Sequence, residues 1–151
     1  MNNLTPTSTT PRSWYLLFFV WVIATAGTLI SLFFSEIMQL PVCVLCWYQR
    51  IALYPLVIML PLALFPMDIR VVRYISPLVA LGWLTALFHV LVVAGVVPES
   101  AQPCVKDIPC SEIKFELIGL LNIPMMALIT FSLIGILLYF SKQQFDGPSN
   151  E

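Results

Sequence analysis

Read as hydrophobic and polar positions, the chain is four long apolar runs joined by polar connections. The runs cover approximately 14–34, 46–65, 75–97 and 124–140, close to the ~20 residues that carry an α-helix across a bilayer core. The pattern predicts an all-α membrane protein, a four-transmembrane-helix bundle with two outer loops at 35–45 and 98–123, forming one membrane-embedded domain over 1–151. The first run exceeds the roughly 7–15 apolar residues of a cleaved signal peptide, so it is expected to be retained. Trp14 and Tyr15 stand at its mouth, where amphipathic aromatic side chains settle. Pro55 and Pro61 fall inside the second run and predict a bent helix whose freed carbonyls are satisfied by neighbours. Pro66-Met67-Asp68 predicts a tight turn, and Pro77 suits the first turn of span three. Asn122 is expected to cap span four, with Pro124 in its first turn. The stretch 111–121 mixes Glu112, Lys114 and Glu116 with apolar residues and fits either an interfacial helix or an extended linker.

Composition agrees with that pattern and excludes some functions. Hydrophobic residues make up 60% and charged residues 10%, against about a quarter charged in soluble domains. A net charge of −1, with no basic run and no glycine-rich phosphate loop, argues against a nucleic-acid partner. The basic residues set the topology. Arg12, Arg70, Arg73 and Lys142 share one side of a four-span chain, and Arg50, Lys106 and Lys114 share the other. Setting Arg50 aside for a chemical task leaves the termini on the more basic side, which predicts cytoplasmic termini. Both cysteine pairs then face the extracytoplasmic compartment, where disulfides persist.

The four cysteines form two pairs, Cys43–Cys46 and Cys104–Cys110. The first is a C-x-x-C motif, a spacing that serves either a short-loop disulfide or two legs of a metal site. Cys46 falls in the first turn of span two, where unpaired N–H groups and the helix dipole favour a thiolate. Arg50 follows one turn deeper on the same face, and a guanidinium within a span is a functional hypothesis, with snorkelling to headgroups as the bland reading. Gln49 and Arg50 thus put donors beside a thiol pair at the depth of a membrane quinone. Cys104 and Cys110 each follow a proline and, taken alone, read as a structural loop disulfide. A second dithiol on the same face argues instead for exchange between the pairs. His89, the single histidine, lies about 12 Å from the outer end of span three and suits either a quinone carbonyl or an interhelical hydrogen bond. Trp47 and Tyr48 read as interfacial anchors, and Met125 and Met126 as lipid or bundle contacts.

The stretch Cys43-Val44-Leu45-Cys46-Trp47-Tyr48-Gln49-Arg50 ahead of the second of four spans resembles the DsbB/BdbC family of membrane thiol oxidases. Ile123-Pro124-Met125-Met126-Ala127-Leu128 at the start of span four is also similar to that family, and the close Cys104-to-Cys110 spacing resembles its BdbC branch. The resemblance implies a quinone-dependent dithiol oxidase of the bacterial plasma membrane. It would reoxidise a soluble thioredoxin-fold thiol oxidase of the DsbA/BdbD kind and pass the electrons to ubiquinone or menaquinone, whose headgroups suit the same donors. It further implies that the partner attacks Cys104, that Cys110 exchanges with Cys43, and that Cys46 faces the quinone with Arg50 in the quinone site. Two other readings compete. Reductases of the vitamin-K-epoxide type have four-helix cores but carry C-x-x-C late in the core, and a metal carrier would use the four thiolates as ligands. A resident metal is not expected, and a monomer is the default.

Overall fold

The computed structural model describes residues 11–39, 42–65, 68, 70–98 and 122–146. Cys104, Cys110, the stretch 111–121 and the proposed turn residues Pro66 and Met67 lie outside them. Among the described residues, four α-helices make up the bundle: α1 Pro11–Leu32, α2 Val44–Leu64, α3 Arg70–Val93 and α4 Ile123–Asp146. A single π-helical turn, Phe33–Ile37, extends α1. All four helices are long and apolar enough to cross a membrane, and the chain is a multi-pass membrane protein. Each helix packs on its two neighbours in the order α1, α2, α3, α4 and back to α1.

The helix ends follow from local chemistry. Asp68 starts α3, its carboxylate oxygen accepting the Arg70 N–H at 2.9 Å and its carbonyl accepting Val71 N–H. The start at Arg70, five residues ahead of Ile75, places Pro77 well inside the helix instead of in its first turn. The far end is closed by Gly95 at φ 74, with its N–H on the Val92 carbonyl and the Val96 N–H on the Leu91 carbonyl. That paired arrangement is a Schellman cap, which only a residue free to adopt positive φ completes without strain. It stops α3 at Val93, four residues short of Val97. Asn122 precedes α4 and its carbonyl accepts the Met125 and Met126 N–H groups.

Lipid tails are as apolar as leucine, so burying apolar surface does little to hold such a bundle, and close packing and interhelical hydrogen bonds matter more. Val20, Leu56, Leu60, Ile75 and Ile134 are completely buried at its centre. Phe19, Ile58, Leu62, Leu81, Leu133 and Ile136 point outward, a large exposed apolar surface that suits lipid. Gly82 of α3 lets the Phe131 ring of α4 lie against its backbone: a Cβ there would stand 2.2 Å from the ring. Trp83 Nε1 donates to Ser132 Oγ at 3.0 Å across the same pair of helices. Pro61 has no N–H for the Val57 carbonyl one turn back. Trp21 of α1 supplies the missing donor, its indole N–H reaching that carbonyl at 3.2 Å.

Candidate functional site

At the end of the bundle where α2 and α4 begin, the packing opens into a cavity of about 140 Å³. Its polar wall comes from Ser31, Cys46, Gln49, Arg50 and His89, and apolar groups such as Phe34, Leu53 and Phe131 close the remainder. A small cluster of Cys43, Leu45 and Val92 seals α2 against α3 beside it.

Cys43 is the residue immediately before α2. It holds the extended conformation of an N-cap, and its sulfur accepts the Cys46 N–H at 3.4 Å. A sulfur here takes the place of the serine or aspartate oxygen that usually satisfies a helix's first N–H groups. The two sulfurs approach to 3.0 Å. Cys43 is 2% exposed, whereas Cys46 is half-buried and faces the cavity. The Cys46 thiol beside it, followed by His89, holds the Cys43 thiol below its ordinary range, against the opposing pull of burial. The sequence points to Cys46 as the sulfur favoured by the helix terminus; in the structure the capping N–H is directed at Cys43.

His89 reaches this pair from α3. Because α3 ends at Val93, the imidazole lies only about 6 Å from the helix end, half the depth that a span reaching Val97 implies. It is 3% exposed, with Nε2 3.7 Å from Cys43 Sγ and Nδ1 3.4 Å from Gln49 Nε2. Gln49, noted in the sequence only as a donor near the thiols, therefore sits behind the histidine.

Arg50 is 8% exposed and does not reach for headgroups. Its Nε donates to Ser31 Oγ at 2.8 Å and its Nη2 to the Ser31 carbonyl at 2.7 Å, while its Cζ lies 5.7 Å from the Trp47 ring centroid. These partners are neutral, so a whole positive charge is presented beside Cys46 in a water-poor setting. Ser31 is the site residue the sequence does not single out: one serine within an apolar run has no distinguishing pattern. Among the six residues the sequence names, Cys43, Cys46, Arg50 and His89 are gathered at one end of the bundle, and Cys104 and Cys110 fall outside the described residues.

The comparisons with known proteins agree with this chemistry. The family model described as "Disulfide bond formation protein DsbB" matches residues 11–141. The chain belongs to the DsbB family. Disulfide bond formation protein C of Bacillus subtilis is 41% identical over 122 residues, covering 81% of this chain and 88% of the relative. A probable disulfide formation protein of Metapseudomonas resinovorans is 38% identical over 133 residues, covering 87% and 92%. One from Coxiella burnetii is 39% identical over 133 residues, covering 84% and 89%. No solved structure matches the chain. Membership in the DsbB family makes this a membrane thiol–disulfide oxidoreductase of disulfide bond formation, acting with a thiol oxidase partner.

Proposed function

We propose that the protein reoxidises a soluble, extracytoplasmic thioredoxin-fold thiol oxidase of the DsbA/BdbD kind and delivers the electrons to a membrane quinone, ubiquinone or menaquinone. The observation that carries this reading is the shared cavity of Cys46 and the buried Arg50. Its size suits a quinone ring, since cavities of about 150 Å³ admit benzene. The donor set fits as well. A guanidinium has five N–H groups, and Ser31 engages only those on Nε and Nη2. The remaining donors suit a carbonyl oxygen that gains negative charge. A quinone bound there would take up two electrons and two protons.

The protein's own residues divide the remaining work. Cys104 receives the attack of the partner's thiolate and Cys110 exchanges with Cys43. Cys46, on the cavity wall, hands the electron pair on. Every sulfur step is thiolate attack on a disulfide, so leaving-group pKa and access govern its rate. Arg50 positions and polarises the acceptor, and the apolar walls exclude water. The site lies on the outer side of the bacterial plasma membrane, with both chain termini in the cytoplasm.

The test is anaerobic mixing of purified protein, reduced partner oxidase and a quinone. Quinol should form in step with loss of partner thiols; no quinol despite disulfide exchange would remove the quinone reading. Thiol labelling from outside intact cells should reach both cysteine pairs, and labelling of only one pair would break the relay.

A further inference from the structure

Gln49, His89 and Cys43 form a short buried chain that sulfur exchange alone does not require. Three contacts define it: the Gln49 amide on His89 Nδ1 at 3.4 Å, His89 Nε2 on Cys43 Sγ at 3.7 Å, and the Cys46 N–H on the same sulfur at 3.4 Å. Gln49 is 8% and His89 3% exposed, so water does not compete freely for these groups. With the amide nitrogen donating to Nδ1, the neutral imidazole keeps its proton on Nε2, directed at the sulfur.

We propose that His89 is the acid–base partner of Cys43, exchanging one proton between Nε2 and Sγ, and that Gln49 is the positioning residue that holds the imidazole in register through both protonation states. An amide suits that second task because it offers a donor and an acceptor from nearly the same place. Its nitrogen serves a bare Nδ1, and its oxygen, after an amide flip, serves an Nδ1–H. A carboxylate at 49 would serve only the protonated ring and would bias it toward imidazolium.

The proposal rests on the relay order given above. When Cys104 resolves the Cys110–Cys43 bond, a Cys104–Cys110 bond forms, the Cys110–Cys43 bond breaks, and the electron pair leaves on Cys43 Sγ. His89 then supports the departing thiolate by its Nε2–H and supplies a proton where one is needed. Cys43 must lose that proton again before it closes onto Cys46, and His89 Nε2 takes it back. The disulfide exchange is redox-neutral and its proton stays within the chain, whereas the later closure of Cys43 onto Cys46 is a two-electron oxidation whose acceptor is the quinone of the proposed function. Among the described residues, the titratable or charged groups around His89 are Cys43, Cys46 and Arg50, from α2 and the residue before it. The facing parts of α1 and α4 contribute Ser31 and Thr130, neither of which titrates.

The test uses the full chain, reduced, in detergent and free of quinone, with a small alkylating reagent and fragment-resolved mass spectrometry of Cys43 against pH. Wild type should show alkylation already fast below the ordinary thiol range, with a second inflection from the imidazole. His89→Ala should move the Cys43 alkylation profile to higher pH and slow the reaction several-fold on its rising limb, as the thiolate loses one of the two partners that stabilise it. His89→Gln keeps a side-chain N–H donor of similar reach, and it should recover part of the rate with only a single inflection. Gln49→Leu should change the profile in the same direction as His89→Ala, by less. An unchanged profile in His89→Ala, or a full wild-type profile with both inflections in His89→Gln, would overturn the proposal. Should His89→Ala fail to fold, the His89→Gln and Gln49→Leu profiles decide alone. No quinone is present, so failure of the quinone reading leaves this result standing and separately readable.

Discussion

The centre of the bundle and its cysteine end are built from the same apolar helices, yet they are packed by opposite rules. At the centre, Val20, Leu56, Leu60, Ile75 and Ile134 leave no surface exposed, and Gly82 admits the Phe131 ring in direct contact with backbone. At the cysteine end, packing gives way to a cavity in which Gln49, Arg50 and His89 are buried beside the half-buried Ser31 and the dithiol. Buried polar groups are costly unless paired, and here they pair chiefly with one another across helices. The contrast teaches a division of labour: a rigid middle fixes the helix positions, and one polar end uses that rigidity to hold reactive groups at defined distances.

The largest effect should come from the sulfur on the cavity wall. Cys46→Ala should reduce quinone-linked oxidation of the partner to background while leaving the melting temperature near wild type, because Cys46 is half-buried and outside the main core. The measurement is quinol formation under anaerobic conditions; substantial turnover would remove Cys46 from the electron path. Next in size is Arg50→Ala. Losing charge-assisted hydrogen bonds of roughly 1.5–3 kcal/mol corresponds to about a 10- to 100-fold rise in apparent quinone KM. Arg50→Lys should recover only part of this, since an ammonium lacks the fork that grips Ser31 at two points. An unchanged KM in Arg50→Ala would place the quinone elsewhere.

At the centre, Gly82→Ala tests the opposite rule. The added Cβ would stand 2.2 Å from Phe131, so helix α3, α4 or the ring must shift. Overpacking of this kind costs about 1–3 kcal/mol. Thermal unfolding in detergent should fall by several degrees, with turnover per folded molecule little changed. If stability holds and turnover falls, the middle and the site are not the separate units described above.

How much of this was legible in the sequence depends on the range of the interaction. The four spans follow from apolar runs of bilayer length, which report composition over about 20 residues. The juxtaposition of Cys46 and Arg50 follows from helical spacing within one element. The placement of His89 against Cys43 does not, for two reasons. Its contact joins α3 to the residue before α2 across 46 residues, and the Gly95 cap that shortens α3 is hard to tell as a helix stop inside an apolar stretch. Ser31 was illegible for a related cause: only the meeting of α1 with α2 makes it the anchor of Arg50. The loop cysteines Cys104 and Cys110 are read from motif and resemblance alone, and they lie outside the described residues.

The smallest predicted effect probes how the middle tolerates a helix breaker. Pro61 deprives the Val57 carbonyl of its helical donor, and Trp21 fills that role from α1. Trp21→Phe keeps most of the ring volume and removes the donor, which should cost about 0.5–1.5 kcal/mol. Pro61→Ala restores an N–H one turn beyond Val57, so the carbonyl no longer depends on the indole. In that background Trp21→Phe should cost less than half as much, and the difference isolates the rescue of one orphaned carbonyl from the packing of the ring. Equal costs in the two backgrounds would mean that Trp21 acts by packing alone. The α1–α2 contact would then owe nothing to the proline that it faces.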